Sequence, residues 1–227
     1  MNVIQAPRVA LVTCAAKPDL DPESRHLADR LSACGVAAFA TVWDDPQVDW
    51  NEFGLTVVRC GDDLVDRPSA FLRWASGVRH LANPADALIW SVGHVRSGQV
   101  RGRRRVALVF IAGAFSHAIR VPVQTSGIDD PVDDQRCDAT AWGLAELTLV
   151  TGAELSLAQR VLGRAPREPR PLLYARVDVA TDERDRPVLL ALDLVCPRLF
   201  LTSVEGAADR LASAIKHRVA GDGSGRR

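Results

Sequence analysis

Lysine is almost missing from this chain. Of 28 basic residues among 227, only Lys17 and Lys216 are lysines, one near each end. Chemistry that needs a lysine amine mid-chain has none to use. Net charge is missing as well: 28 basic and 28 acidic residues give +0 at pH 7. No global field therefore draws the protein to nucleic acid or to an anionic membrane. Long apolar runs are absent; residues 9–13 have strand length, far short of the ~20 residues of a membrane span. That run imitates the core of a signal peptide, but a marked helix start follows at once, so it reads as a strand. The cysteines (Cys14, Cys34, Cys60, Cys137 and Cys196) are odd in number and never in CxxC spacing. Such usage argues against a disulfide framework or a zinc site and for a reducing, cytoplasmic compartment.

What is present is an ordinary globular composition, 47% hydrophobic and 25% charged, long enough for one large domain or two small ones with real cores. RVALVT at 8–13 has strand length. Asp21-Pro22-Glu23 supplies an N-cap, a proline at the first helical position and early negative charge. Leu27, Ala28, Leu31 and Cys34 share a helical face that Gly35 terminates. Strands are expected at 36–43 and 55–59, with a short turn at 51–53 between them. A helix over 68–80 carries Phe71, Trp74, Ala75 and Val78 on one side. Strands alternating with helices predict a small parallel sheet.

The second half reads differently. Residues 106–111 and 115–121 flank Ala-Gly-Ala and predict a β-hairpin. Residues 124–140 are polar and acidic, as a loop is. A short helix follows at 154–162, and a second hairpin joins 172–179 to 187–195 around Asp-Glu-Arg-Asp-Arg. An amphipathic helix at 205–219 closes the chain before a tail, GDGSGRR, too polar to order itself. Antiparallel strands with packed helices make this half α+β.

The second hairpin holds the candidate chemistry. Period-2 alternation sends Ala175, Val177 and Val179 to one face and Tyr174, Arg176 and Asp178 to the other. On the return strand Leu190, Leu192 and Leu194 share the apolar face, opposite Leu189, Ala191 and Asp193. A tight turn centred on Asp185-Arg186 would place Asp178 directly across from Asp193. Facing carboxylates repel, but a divalent cation between them turns the pair into a metal site, and Mg²⁺ favours carboxylates with substrate phosphates. The alternative is a solvated acid pair neutralised by Arg176.

Other features carry less. The run Arg101, Arg103, Arg104 and Arg105 could touch nucleic-acid phosphates, but no interleaved aromatics or overall basic charge supports that use. Asp129, Asp130, Asp133 and Asp134 lack the spacing of an EF-hand. His117 reads as a satisfied core histidine. Ser116 has no evident His/Asp partners for a hydrolase triad, and no Walker lysine motif is present.

The segments RVALVTCAAKPDLDPESRHLADRL, VWDDPQVDW, LTVVR and FLRWA resemble the N-terminal domain of ATP-grasp ligases, in the branch that makes cycloserine. VALVFIAGAFSHAIR, YARVDVATDERDRPVLLALDLVCPRLFL and GAADRLASAI resemble that family's C-terminal segments. The resemblance covers residues 8–91 and 106–219. It implies a pre-ATP-grasp, Rossmann-like parallel domain at 1–91, a connector at 92–105, an antiparallel α+β ATP-grasp domain at 106–220 and a tail at 221–227. It also implies ATP and Mg²⁺ as cofactors, a small carboxylate or amino-acid-like substrate, an acylphosphate intermediate and a possible homodimer. Asp178 matches the first metal acid, Asp193 the remaining member of an acid-x-acid pair, and Arg120 an arginine facing phosphate or the intermediate.

The departures are specific. Ala191 and Cys196 stand where the family has acids. Ala112-Gly113-Ala114 replaces Asp-Gly-Glu, and Val121 replaces a basic residue. Residues 92–105 span the place where the family inserts its nucleotide-clamping strands, two lysines and a glycine-rich lid. The resemblance therefore implies a truncated ATP-grasp remnant, either a weak ligase or a non-catalytic module. It predicts the 106–111 strand packed on the second hairpin, with an open, shallow face where ATP would be roofed.

Overall fold

The computed structural model describes residues 6–60, 63, 66–94, 105–121, 146–166 and 170–222. The acidic loop at 129–134, Cys137 and three of the clustered arginines (Arg101, Arg103 and Arg104) lie outside them.

The chain begins with β1 (Arg8–Thr13), α1 (Pro22–Ala33) and β2 (Ala37–Val42). The Asp21 carboxylate accepts the Ser24 N–H at 2.9 Å, and Gly35 at φ 83° ends the helix, as the Asp-Pro and Gly signals predict. A 3-10 turn at Trp50–Glu52 leads to β3 (Leu55–Val58) and α2 (Pro68–Gly77). β1 lies between β2 and β3 in a parallel sheet of order β2-β1-β3. The next helix, α3 (Ala85–His94), was not expected, and its last residues occupy the start of the connector placed at 92–105.

β4 (Arg105–Ile111) and β5 (Ala114–Val121) form the expected hairpin. Its two-residue turn has Ala112 at φ 51° and Gly113 at φ 79°, the double positive φ of a type I′ connection. A side chain at Gly113 would meet Pro171 at 2.8 Å. The two-residue strand β6 (Glu146–Leu147) follows, then α4 (Gly152–Leu162), opened by a Thr151/Glu154 capping box. β7 (Tyr174–Thr181), β8 (Pro187–Asp193) and α5 (Ala207–Asp222) complete the fold. α5 extends into the predicted tail, whose first two residues form its last turn. The antiparallel sheet has order β6-β5-β4-β7-β8, so β4 packs on the second hairpin as expected.

Both sheets are covered on both faces. Val106, Leu108, Phe110, Val177 and Val179 pack against α3 and α4 residues such as Ala87, Trp90 and Ala158. The opposite face contributes Ala107, Val109, Ile111 and Tyr174 to a core that also holds Val9, Leu11, Val57, Leu27, Leu211 and Ile215. This core joins the two sheets through α1 and α5. The far face of the parallel sheet, Val12 and Val58, packs on Trp43, Phe71 and Ala75. No helix among the described residues is long and apolar enough to cross a membrane.

Candidate functional site

The β7–β8 ladder places the acids differently from the expected register. Arg176, not Asp178, lies opposite Asp193, and Asp178 faces Ala191. The cause is the turn. Asp182 Oδ1 accepts the N–H groups of Arg184 at 2.9 Å and Arg186 at 2.8 Å, and Asp182 N donates to the Arg186 carbonyl. This side-chain-to-backbone turn, with Asp185 at φ 56°, sets the pairing beside it three residues away from a turn centred on Asp185-Arg186. That register puts Leu189 opposite Val179, on the apolar face. A bulge between Asp178 and Val179 then takes back one residue, leaving Asp178 opposite Ala191 and two residues from the expected pairing. Asp178 and Asp193 thus share a face on the diagonal, with Arg176 next to both.

Arg176 binds Asp178 with two donors: Nε to Oδ1 at 3.1 Å and Nη2 to Oδ2 at 3.0 Å. Arg176 is 1% exposed and Asp178 4%, so the pair lies inside the protein, not on an open, shallow face. The guanidinium neutralises the carboxylate and makes that burial tolerable. Asp193 spends Oδ1 on the backbone, accepting from Val195 N at 2.9 Å and Cys196 N at 3.2 Å. Burial pushes its carboxyl above the ordinary range, a push that Arg176 and the two N–H donors oppose and Asp178 reinforces.

Arg120 is not brought to this group. It is exposed on β5 opposite Val106, which in turn faces Val179. That ladder row belongs to the α3/α4 side of the sheet, whereas Asp178 shares its row with Ala107 on the other side. His117 is buried; its Nε2 lies 2.9 Å from the Leu199 carbonyl and its Nδ1 2.9 Å from Ser116 Oγ. The first contact makes Nε2 the protonated nitrogen. Burial, helped by Arg210, lowers its pKa to about 4 although the Leu199 contact opposes the change. His117 is a satisfied core histidine, as its sequence context suggests.

The polar residues that sequence reasoning passed over surround the exit from β8. Asn83 donates to the carbonyls of Tyr174 at 2.9 Å and Leu194 at 2.8 Å and accepts Leu173 N. Ser91 bonds Leu192 and Leu194. The Tyr174 hydroxyl reaches the carbonyls of Val58 at 3.1 Å and Val195 at 3.0 Å. Arg59 donates to Glu23 Oε1 at 2.7 Å and to the Pro197 carbonyl at 3.3 Å, while Glu23 accepts Leu199 N and Leu201 N. Burial works against the Arg59 charge, but Glu23, Cys196, Asp21 and Tyr174 together outweigh it and raise the pKa. Asn83 had one faint signal, an amide between the apolar Leu81-Ala82 and Pro84. Glu23 and Arg59 had none, because nothing local relates them. Separately, a surface groove of about 560 Å³ between α1 and α5 is lined by Arg30, Asp209, Lys216 and His217 and lies away from the acid pair.

Residues 9–83 match the family model for the N-terminal domain of D-cycloserine synthetase DcsG. The crystal structure of D-cycloserine synthetase DcsG superposes with a TM-score of 0.73 at 19% identity, covering 93% of this chain and 99% of that one. Residues 9–83 are thus similar to the N-terminal domain of that synthetase, and the chain shares its fold. A Chryseobacterium gregarium RiPP-associated ATP-grasp ligase, in complex with ADP and a leader and core peptide, follows at TM-score 0.60 and 7% identity, covering 95% of this chain and 97% of that one. The ATP-grasp ligase PsnB, complexed with minimal precursor, Mg and ADP, gives 0.54 at 11% identity, with 93% and 97% covered. No curated protein sequence matches.

The ATP-grasp fold implies Mg²⁺ on paired acids, and the donor set here does not fit one. Both Asp178 oxygens are bound by Arg176, Asp193 Oδ1 is bound by two N–H groups, and Ala191 contributes no oxygen. Among the described residues no group of three or more His, Cys, Asp or Glu side chains is arranged to hold a metal ion.

Proposed function

We propose that this protein is an ATP-grasp relative whose ligation chemistry is weak or lost and which acts as a binding or oligomerisation module. The observation behind the reading is the buried Arg176–Asp178 pair, in which a guanidinium takes both oxygens of the matched metal acid. Freeing Asp178 for a cation would break this buried ion pair, a loss of about 3–5 kcal/mol. The resemblance adds to this reading, because residues 92–105 are short where it places the family's nucleotide-clamping strands. Phosphoryl transfer depends on a preorganised cationic clamp, and Lys17 and Lys216 lie outside that segment.

A second reading is an ATP- and Mg²⁺-dependent carboxylate–amine ligase working through an acylphosphate. Its support is that relatives of this fold are described with ADP, Mg and precursor peptides. In that reading Asp178 and Asp193 would hold the metal, Arg120 would face the phosphorylated intermediate, and the substrate would be a small carboxylate or a peptide. Nucleic-acid binding through the arginine run has no support beyond its charge.

Titration calorimetry with Mg·ATP separates the two. The expected result is no saturable heat up to millimolar nucleotide, for the wild type and Asp178→Asn alike. Saturable binding that Asp178→Asn weakens would overturn the proposal and restore the ligase.

A further inference from the structure

The cysteines look scattered in sequence, yet the fold gathers two of them. Cys14 follows β1 and Cys60 follows β3, the two strands that pair in parallel with Val12 beside Val58. The ladder continues past that row, because Arg59 N donates to the Val12 carbonyl at 3.0 Å. Each cysteine lies two residues beyond the Val12–Val58 row, so both side chains leave the same side of the pleat. Their sulfurs are 3.0 Å apart, although 46 residues separate them in sequence. Neighbouring strands run about 4.8 Å apart, within the Cα separation of about 4.4–6.8 Å that a disulfide spans.

Both residues are buried, 1% and 4% exposed, in the cluster that also contains Trp43, Phe71, Val195 and Cys196. The pair therefore lies at the carboxyl edge of the parallel sheet, where the segment leaving β8 packs against it. A cross-link here would tie β1 to β3 and stiffen the surface on which residues 195–196 rest.

We propose that Cys14 and Cys60 form a reversible internal disulfide by exchange with a small disulfide such as oxidised glutathione. The Cys14 thiolate attacks one sulfur of the glutathione disulfide, forming a mixed disulfide and expelling one glutathione thiolate. The Cys60 thiolate then attacks the Cys14 sulfur and expels the second. The protein dithiol loses two electrons, glutathione disulfide becomes two thiols, and the two cysteine protons leave with them. Because both sulfurs are buried, exchange proceeds through local opening of the sheet edge. The inference is independent of whether the protein binds nucleotide.

The test equilibrates the full, folded chain in glutathione buffers of increasing oxidation, followed by alkylation and peptide mass mapping. The expected outcome is a mass lower by about 2 Da, a Cys14–Cys60 linked peptide and a Tm higher by roughly 5–10 °C, all reversed by dithiothreitol. Cys196→Ser retains all three changes and Cys14→Ser loses them. Differential alkylation of the wild type gives the answer even if Cys14→Ser fails to fold. Full alkylation of Cys14 and Cys60 after oxidation, a linkage to Cys34, Cys137 or Cys196 instead, or a bond that forms only in urea each overturns the proposal.

Discussion

The two sheets use charge in different places. β3 holds no charged residue, and β1 holds only Arg8 at its start; the parallel sheet's buried ion pair lies beyond the strand ends, where Arg59 meets Glu23. In the antiparallel sheet the charges lie within the ladder, Arg176 and Asp178 on β7 and Asp193 across from Arg176 on β8. The first pair reaches outward: Glu23 and Arg59 together bond Pro197, Leu199 and Leu201 and so tie one sheet to the segment leaving the other. The second pair closes on itself and cancels the charge that a metal would have to find. Similar chemistry acts as a clamp between sheets in one place and as a neutral filler within a sheet in the other.

The largest expected effects come from breaking either pair. Glu23→Gln and Asp178→Asn each remove the hydrogen-bonded acid of a buried ion pair and should cost about 3–5 kcal/mol in urea unfolding. Their reach should differ. Glu23→Gln is expected to lower amide-exchange protection in β1 and β7 together, Asp178→Asn in β7 and β8 first; identical protection maps would remove the distinction between clamp and filler.

His117 comes next. Its pKa falls from 6.5 to about 4 on folding, so the unfolded chain takes up a proton that the folded one refuses. The stability it permits is complete above pH 6.5 and drains as pH falls towards 4, by about 3 kcal/mol across that window. Urea midpoints measured against pH should flatten over this range in His117→Gln.

Tyr174→Phe removes the hydroxyl that reaches Val58 on one sheet and Val195 beyond the other, and should cost about 1–3 kcal/mol in a melt. The smallest change compares the two halves directly. Asp21→Ala and Thr151→Ala delete the side-chain caps of α1 and α4 and should each cost about 1 kcal/mol by chemical denaturation.

The strands, most helices and both hairpins were legible because their signals are local. Asp21, Pro22 and Gly35 bound α1 without reference to anything distant, and period-2 alternation put Arg176 and Asp178 on one face. α3 was missed: proline, aspartate and a largely apolar stretch at 84–92 lack the polar face that marks an amphipathic helix, since this helix packs between β8, α2 and the second core. The register of β7 against β8 was misread by two residues because Asp182 bonding its own backbone, not the central pair of the turn, sets the pairing. Arg120 was grouped with the acids by family position, but alternation across three paired strands puts it on the other side of the sheet.

The sequence by itself determined which residues could carry charge into the interior, the helix boundaries set by caps and stops, and the resemblance to the ATP-grasp fold. Those depend on contacts within a few residues or on motifs read in order. Only the tertiary structure decided which charges meet. Glu23 finds Arg59, Arg176 satisfies Asp178 before any cation could, and Cys14 comes to rest 3.0 Å from Cys60. The physical reason is common to all three. An ion pair or a thiol pair depends on ångström-scale distance, and that distance is set by register and sheet order, which local sequence signals do not encode.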